Sequence, residues 1–260
     1  MDGPRFSHAI VRPPGPNFAD GLTAAGLGRP DHATALAQHA RYCEALEACG
    51  LELTRLAPDP RFPDATFVED TAVLAAGLAV VTRPGAPSRA GETESVREAL
   101  ARLFLDLEAI REPGTVDGGD VCEAGEHVFV GLSHRTNAEG ARQLALLLES
   151  VGFTHTVVDV RGIPGLLHLK SGLAWLGGRR LLAREALARH LAFTDWEMVP
   201  VPPGEEYAAN CVLLNGRLLL PAGFPRLEAA LRAPGCEPLP LEMSEFRKMD
   251  GGPSCLSLRF

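Results

Sequence analysis

A strand–strand–helix–strand order recurs along this chain, and no other feature of the sequence restricts its fold so strongly. Residues 68–83, VEDTAVLAAGLAVVTR, hold two apolar strand-like runs around Ala76-Gly77, and a helical pattern at 92–104 and an extended segment at 105–111 follow. The order returns at 120–132, a hairpin turning at Gly125-Glu126, with a helix at 138–151 and a strand at 155–160. A third hairpin over 172–183 turns at Gly177-Gly178 and precedes a helix near 184–192 and a strand at 196–201. The fourth, 210–220, turns at Asn215-Gly216, a strong hairpin signal, and helix 225–233 and strand 237–241 complete it. The fifth unit is divided between the ends: strand 254–260 pairs with strand 6–12, then helix 31–49 and strand 51–56 finish it.

Five units with a period of roughly 40–50 residues close a ring about a pseudo-fivefold axis. Pairing the two ends leaves no open blade for another chain to join. A hairpin before each helix disfavours a doubly wound parallel sheet, the ordinary alternative. The expected architecture is an α/β five-bladed propeller of ββαβ units, closed by the N- and C-terminal strands, in a single domain over residues 1–260.

Charge then bears on partners. Lysine and arginine total 25 against 33 aspartate and glutamate, a balance that argues against nucleic acid or an anionic membrane and leaves a cationic small molecule open. No apolar run approaches a membrane span, and the start lacks the basic-then-apolar pattern of a signal peptide, so a cytoplasmic location is expected. The six cysteines (43, 49, 122, 211, 236 and 255) are scattered without a CxxC pair, which fits reduced thiols better than a zinc site or a disulfide framework.

In such a ring the first strand of each hairpin lies near the axis, and the chemistry-bearing residues fall at the ends of these strands. Asp64, Glu69 and Asp70 belong to the first unit, Asp117 and Asp120 to the second, His168 and Lys170 to the third, and Cys255 to the fifth. Cys255 sits in GGPSCLSLRF where a glycine–proline turn becomes a strand. Arg89 and Arg135 lie in the loops after the first two hairpins. Singly, each has an ordinary structural reading: a buried thiol, a core histidine, a solvated strand end, a surface arginine. Together they suit thiolate attack on a cationic carbon. Carboxylates can grip the N–H groups of a guanidinium, histidine can protonate a departing amine, and arginines can hold a substrate carboxylate. His168 and Cys255 lack further soft ligands at metal-site spacing, and DGGD lacks the features of a phosphate loop, so neither a metal nor a cofactor is expected.

The segments DGLTAAGLGRPD (20–31), RFPDATFVEDTAVL (61–74), TRPGAPSRAGETE (82–94), PGTVDGGDV (113–121), RTNAEGARQ (135–143), LLHLKSGLA (166–174), EYAANC (206–211) and RKMDGGPSCLSLRF (247–260) resemble the dimethylarginine dimethylaminohydrolases of the guanidino-modifying (pentein) superfamily. The resemblance runs from end to end and implies a five-bladed α/β propeller. It implies hydrolysis of Nω-methylated arginines to citrulline and a methylamine through a covalent S-alkylthiouronium on the cysteine. On matching positions it casts Cys255 as nucleophile, His168 as general acid/base and Asp117 as the carboxylate orienting it, where many bacterial members carry the longer glutamate. Glu69 and Asp70 become guanidinium holders, and Asp64 and the backbone of Leu22 contacts for the substrate amino group. Arg89 and Arg135 become a carboxylate clamp and Met249 the donor of a backbone carbonyl, with Leu22 in a mobile lid. The partner implied is a small-molecule methylarginine, and exposed blade edges permit a homodimer. Rival readings are an arginine deiminase-type enzyme releasing ammonia and a non-catalytic arginine-binding ring. Deiminases and amidinotransferases are generally longer chains.

Overall fold

The computed structural model describes residues 5–232 and 237–260, so Cys236 lies outside the described residues. In chain order the regular elements are β1 (His8–Val11), α1 (His32–Ala48), β2 (Glu52–Arg55), β3 (Ala72–Ala75), β4 (Leu78–Val81), α2 (Thr93–Leu100), β5 (Asp106–Ala109), β6 (Val121–Ala124), β7 (His127–Leu132), α3 (Ala138–Ser150) and β8 (Thr154–Asp159). There follow β9 (Leu173–Trp175), β10 (Arg180–Ala183), α4 (Glu185–Ala188), β11 (Glu197–Pro200), β12 (Val212–Leu214), β13 (Arg217–Pro221), α5 (Pro225–Leu231), β14 (Glu237–Leu241), α6 (Ser244–Arg247) and β15 (Ser257–Arg259).

The strands form five three-stranded sheets, ordered β3-β4-β5, β6-β7-β8, β9-β10-β11, β12-β13-β14 and β15-β1-β2. In each, a first strand pairs antiparallel with the second, and the second pairs parallel with the third after a helical crossover. Ala76-Gly77 and Asn215-Gly216 both take positive φ at their two residues, 47° and 83° in one and 50° and 86° in the other, the backbone that a two-residue hairpin matched to strand twist requires. The five first strands face one another around the axis and line a cavity of about 130 Å³. The third strands form the outer rim; in β14 the rim residues include Pro238 and Pro240.

Apolar cores fill the wedges between neighbouring sheets. Val80, Val116, Val128 and Val130 meet Leu144 and Leu148 in one of them. Leu144 and Leu148 share one face of α3 at helical spacing, and Asn137 caps that helix by accepting from the Gly140 N–H. Asp31 caps α1 in the same way, accepting from Thr34. Each cap supplies a partner to an amide the first turn leaves unpaired.

The ring is closed as the sequence implies. β15 pairs with β1 in the register Ala9↔Arg259, Ile10↔Leu258 and Val11↔Ser257. Leu258 packs with Ile10 against Val68, Val81, Val96 and Leu100 of the first unit, while Leu256 joins Tyr42 and Phe246 on the other side. The Tyr42 and Ser257 hydroxyls add a buried hydrogen bond of 2.6 Å.

Two local readings change. The strand expected over 254–260 begins as a 3-10 turn, Pro253–Leu256, so Cys255 stands inside that turn and the strand is confined to Ser257–Arg259. The third-unit helix expected to residue 192 stops at Ala188. His190 is extended and its side chain accepts from the Ala192 N–H, starting a separate turn at Leu191–Phe193. Among the described residues no helix is long and apolar enough to cross a membrane.

Candidate active site

A 3-10 turn precedes every first strand: Val68–Thr71, Gly118–Asp120, Leu169–Ser171, Glu206–Ala209 and Pro253–Leu256. The equivalent placement of these turns gathers residues from all five units at one end of the axis. The fold thus brings Asp70, Asp117 and His168 together, with one ligand-type atom from each all lying within 4.8 Å of one another. Such a trio could hold a cation, and the Arg89 guanidinium already stands 2.6 Å from Asp70.

His168 donates through Nε2 to Asp117 Oδ2 at 3.0 Å. Aspartate therefore spans the gap without the extra methylene of glutamate. The other Asp117 oxygen accepts from the Gly85 N–H at 2.8 Å, so the carboxylate is gripped on both sides. Burial opposes charge on Asp117, but His168 and Arg89 hold its pKa below the ordinary carboxylate range. Burial likewise opposes charge on His168, yet Asp70, Asp120 and Asp117 outweigh it and raise its pKa to about 9. The imidazole is thus protonated at neutral pH. Its Nδ1 lies over Gly119, where a Cβ would come within 2.7 Å of Nδ1 and 2.9 Å of Asp70 Oδ1. Asp120 locks the local geometry by accepting from Ser133, Thr136 and the Leu169 N–H at 2.6, 2.7 and 2.9 Å.

Cys255 contributes a largely enclosed thiol. Burial and the charges of Glu69 and Asp70 push its pKa up to about 12, against hydrogen bonding from Gly252 and Ser254. Its sulfur accepts from the Gly252 N–H at 3.4 Å and from the Asn210 amide at 3.6 Å. Asp70 influences both the thiol and the imidazole, so the two groups share one acidic neighbour.

The two carboxylates expected to work side by side, Glu69 and Asp70, point to different partners. Asp70 accepts from Arg89 and from the Gly119 N–H at 2.8 Å. Glu69 is engaged at both oxygens, by Lys170 at 2.7 Å and Arg259 at 3.0 Å on one and by Ser254 at 2.8 Å on the other. With Lys170, Ser254 and Arg259 it borders the axial cavity. The arginines also differ. Arg89 is buried and bonds Asp70, Glu92 and the carbonyls of Asp64 and Phe67. Arg135 has a buried Nη1 with no hydrogen-bond partner, 3.8 Å from Asp117 Oδ2. Of the expected clamp, Arg135 is therefore the half with an uncommitted donor.

At the rim, the Leu22 N–H donates to both Asp64 oxygens at 3.0 and 3.1 Å. Gly21 permits this approach, since a Cβ there would sit 2.4 Å from Asp64 Oδ1 and 3.1 Å from the Met249 side chain. Burial raises the Asp64 pKa, opposed by Arg89 and the Leu22 N–H. The same segment is fastened to Asp250, which accepts from the Ala24 N–H at 2.6 Å. Sequence reasoning passed over Arg259 and Ser254 as partners of Glu69; their place within the turn and strand flanking Cys255 was the available signal.

No family model matches the chain. The dimethylarginine dimethylaminohydrolase of Pseudomonas aeruginosa is 45% identical over 98% of this chain and its own full length. The enzyme of the same name from Streptomyces coelicolor is 40% identical over 96% of each chain. The solved structure of a cysteine-to-serine variant of the Pseudomonas aeruginosa enzyme with citrulline superposes with a TM-score of 0.95 and 44% identity, over 98% of this chain and all of that one. Identity at this level over whole lengths, on a ring of the same architecture, places the chain in the dimethylarginine dimethylaminohydrolase family.

Proposed function

We propose that the protein hydrolyses Nω-methylated L-arginines, asymmetric dimethylarginine and monomethylarginine, to L-citrulline and dimethylamine or methylamine. The observation that carries this reading is the gathering, at one end of the axis, of His168 bonded to Asp117 at 3.0 Å and the Cys255 thiol in the acidic surroundings of Glu69 and Asp70. A neutral thiol in acidic surroundings becomes a nucleophile when a cation arrives beside it, because an adjacent positive charge favours thiolate. A methylated guanidinium brings that charge on the carbon to be attacked.

On binding, the Cys255 proton leaves to solvent and the thiolate adds to the guanidinium carbon. His168, protonated beforehand, gives its proton to the departing dimethylamine, and the C–N bond breaks to leave a cationic S-alkylthiouronium. Neutral His168 then takes a proton from water as its oxygen adds to that carbon. The C–S bond breaks as the added hydroxyl becomes the citrulline carbonyl; its remaining proton passes to the departing sulfur and restores the Cys255 thiol, while the first proton taken from water stays on His168. Asp117 keeps the imidazole oriented through both steps. Asp70, with Glu69 behind it, supplies negative potential for the guanidinium; Asp64 and the Leu22 backbone meet the substrate amino group at the rim. Arg135 takes the substrate carboxylate with Arg89 fixing the acidic wall, and Met249 offers a backbone carbonyl. We place the protein in the cytoplasm, as a single catalytic domain free to form a homodimer through its exposed rim.

Product analysis with dimethylarginine and arginine offered side by side tests the reading. Citrulline with dimethylamine is expected. Citrulline with ammonia from arginine alone would move the protein to a deiminase reaction, and binding without turnover would make it a carrier.

A further inference from the structure

The first, second, third and fifth units all place a chemistry-bearing residue in the turn before the first strand, whereas the fourth had none assigned. The residue ending that turn is Asn210, 5% exposed, directly after Glu206–Ala209. Its Oδ1 accepts from the Ser254 N–H at 3.0 Å. A backbone amide can only donate, so this contact fixes which end of the side-chain amide is oxygen and turns Nδ2 toward Cys255, 3.6 Å from the sulfur. The approach depends on Gly252, where a Cβ would lie 2.5 Å from Asn210 Cγ. Gly252 itself directs its N–H to the same sulfur at 3.4 Å.

We infer that Asn210 is the fourth unit's contribution to the site: with the Gly252 N–H it forms a two-donor cradle that positions Cys255 and stabilises its thiolate. The inference rests on the reading of Cys255 as nucleophile. Glu69 and Asp70 oppose charge on that sulfur, and the cradle, with the Ser254 hydroxyl at a longer 3.9 Å, is a fixed source of positive potential aimed at it. Because the amide is neutral, it favours thiolate without repelling a cationic substrate, as a lysine in the same place would do.

The test is Asn210→Asp. The carboxylate keeps an oxygen for the Ser254 N–H but replaces the donor to sulfur with an acceptor. Iodoacetamide alkylation of Cys255, followed by intact mass with Cys255→Ser as blank, reads the thiolate fraction without any guanidino substrate. Each unit of added thiol pKa slows alkylation about tenfold at fixed pH below the midpoint. Asn210→Asp is expected to slow it tenfold or more at pH 8 and to lower kcat in parallel, with melting retained. Should that variant fail to fold, Asn210→Ala, which removes the donor without adding charge, is expected to slow alkylation several-fold. Wild-type alkylation rates in the folded variant, or lost turnover with an unchanged alkylation profile, would overturn the inference. Full turnover by Cys255→Ser would instead remove the reading of Cys255 on which it rests.

Discussion

Closing the ring through β15 makes the last strand a structural member, and Leu258→Ala measures how much. Leu258 is 4% exposed, wedged between Ile10 on its own sheet and Val68, Val81 and Val96 of the neighbouring unit. Truncating a leucine so enclosed costs about 2–5 kcal/mol, transfer and cavity together. For a chain of this size each kcal/mol moves Tm by roughly 2–4 °C, so a drop of about 4–20 °C is expected. Leu105 provides the control, because it is fully exposed and Leu105→Ala removes no contact of consequence. Ending the chain after Cys255 keeps its thiol but forfeits both Leu256 and Leu258. That loss of about 4–10 kcal/mol is comparable with the whole stability of a typical domain, about 5–15 kcal/mol. It also strips β1 of its Phe260 carbonyl, which accepts from the Ser7 and His8 amides at 2.8 Å. Calorimetric or circular-dichroism melts at one scan rate decide the matter. A truncated chain that melts cooperatively at the wild-type temperature, or a Leu258→Ala transition matching that of Leu105→Ala, would refute closure as a source of stability.

Other outcomes follow from the site. Cys255→Ser should abolish citrulline formation while leaving the melt unchanged; turnover by this variant would end covalent catalysis. Gly119→Ala should cut kcat well over tenfold, because its methyl group would have to occupy space 2.7 Å from His168 Nδ1, and a steady-state assay beside a normal melt separates this from unfolding. The folded state raises the His168 pKa to about 9, so it binds that proton more tightly than the unfolded chain does. The resulting stabilisation is fully present below about pH 6.5, the ordinary histidine value, and is lost as pH rises through the folded value. Wild-type Tm should therefore fall across this window relative to His168→Gln, and parallel profiles would contradict the assignment. Arg135→Ala should raise KM more than it lowers kcat, since the proposed role of its unpartnered Nη1 is to hold the substrate carboxylate and not the reacting carbon; an unchanged KM would remove it from the clamp.

The ring was legible because its signals are local. Alternating apolar residues around Asn215-Gly216 or Ala76-Gly77 specify a hairpin whatever surrounds them. The 3-10 turns before the first strands were hidden, because short turns such as Pro253–Leu256 take their shape from contacts with neighbouring units. The same limit applies to the site. Residue types and repeat position grouped Cys255, His168 and the carboxylates, and the family resemblance assigned their roles. Neither foretold that Glu69 would be drawn to Lys170 and Arg259, 101 and 190 residues away, while Asp70 stayed with Arg89. Asn210 escaped attention because a neutral amide carries no titratable mark; only its distance to sulfur distinguishes it.

Five parallel third strands leave five outer edges, each a template on which a foreign strand could grow. β14 is disarmed at the backbone. The Glu237 N–H and the Leu241 carbonyl both bond inward, to Gly216 and Ala222, so in this alternating strand Pro238 and Pro240 turn outward. Proline has no N–H, and the outward side of β14 therefore offers carbonyls with no donors between them. Pro200 holds the corresponding outward place in β11, whose neighbours Glu197 and Val201 bond inward to Arg179 and Ala183. A guest strand needs alternating donors and acceptors and finds only half of the ladder there. The residues that look least suited to a strand are thus what denies a guest strand its donors at two of the five rims.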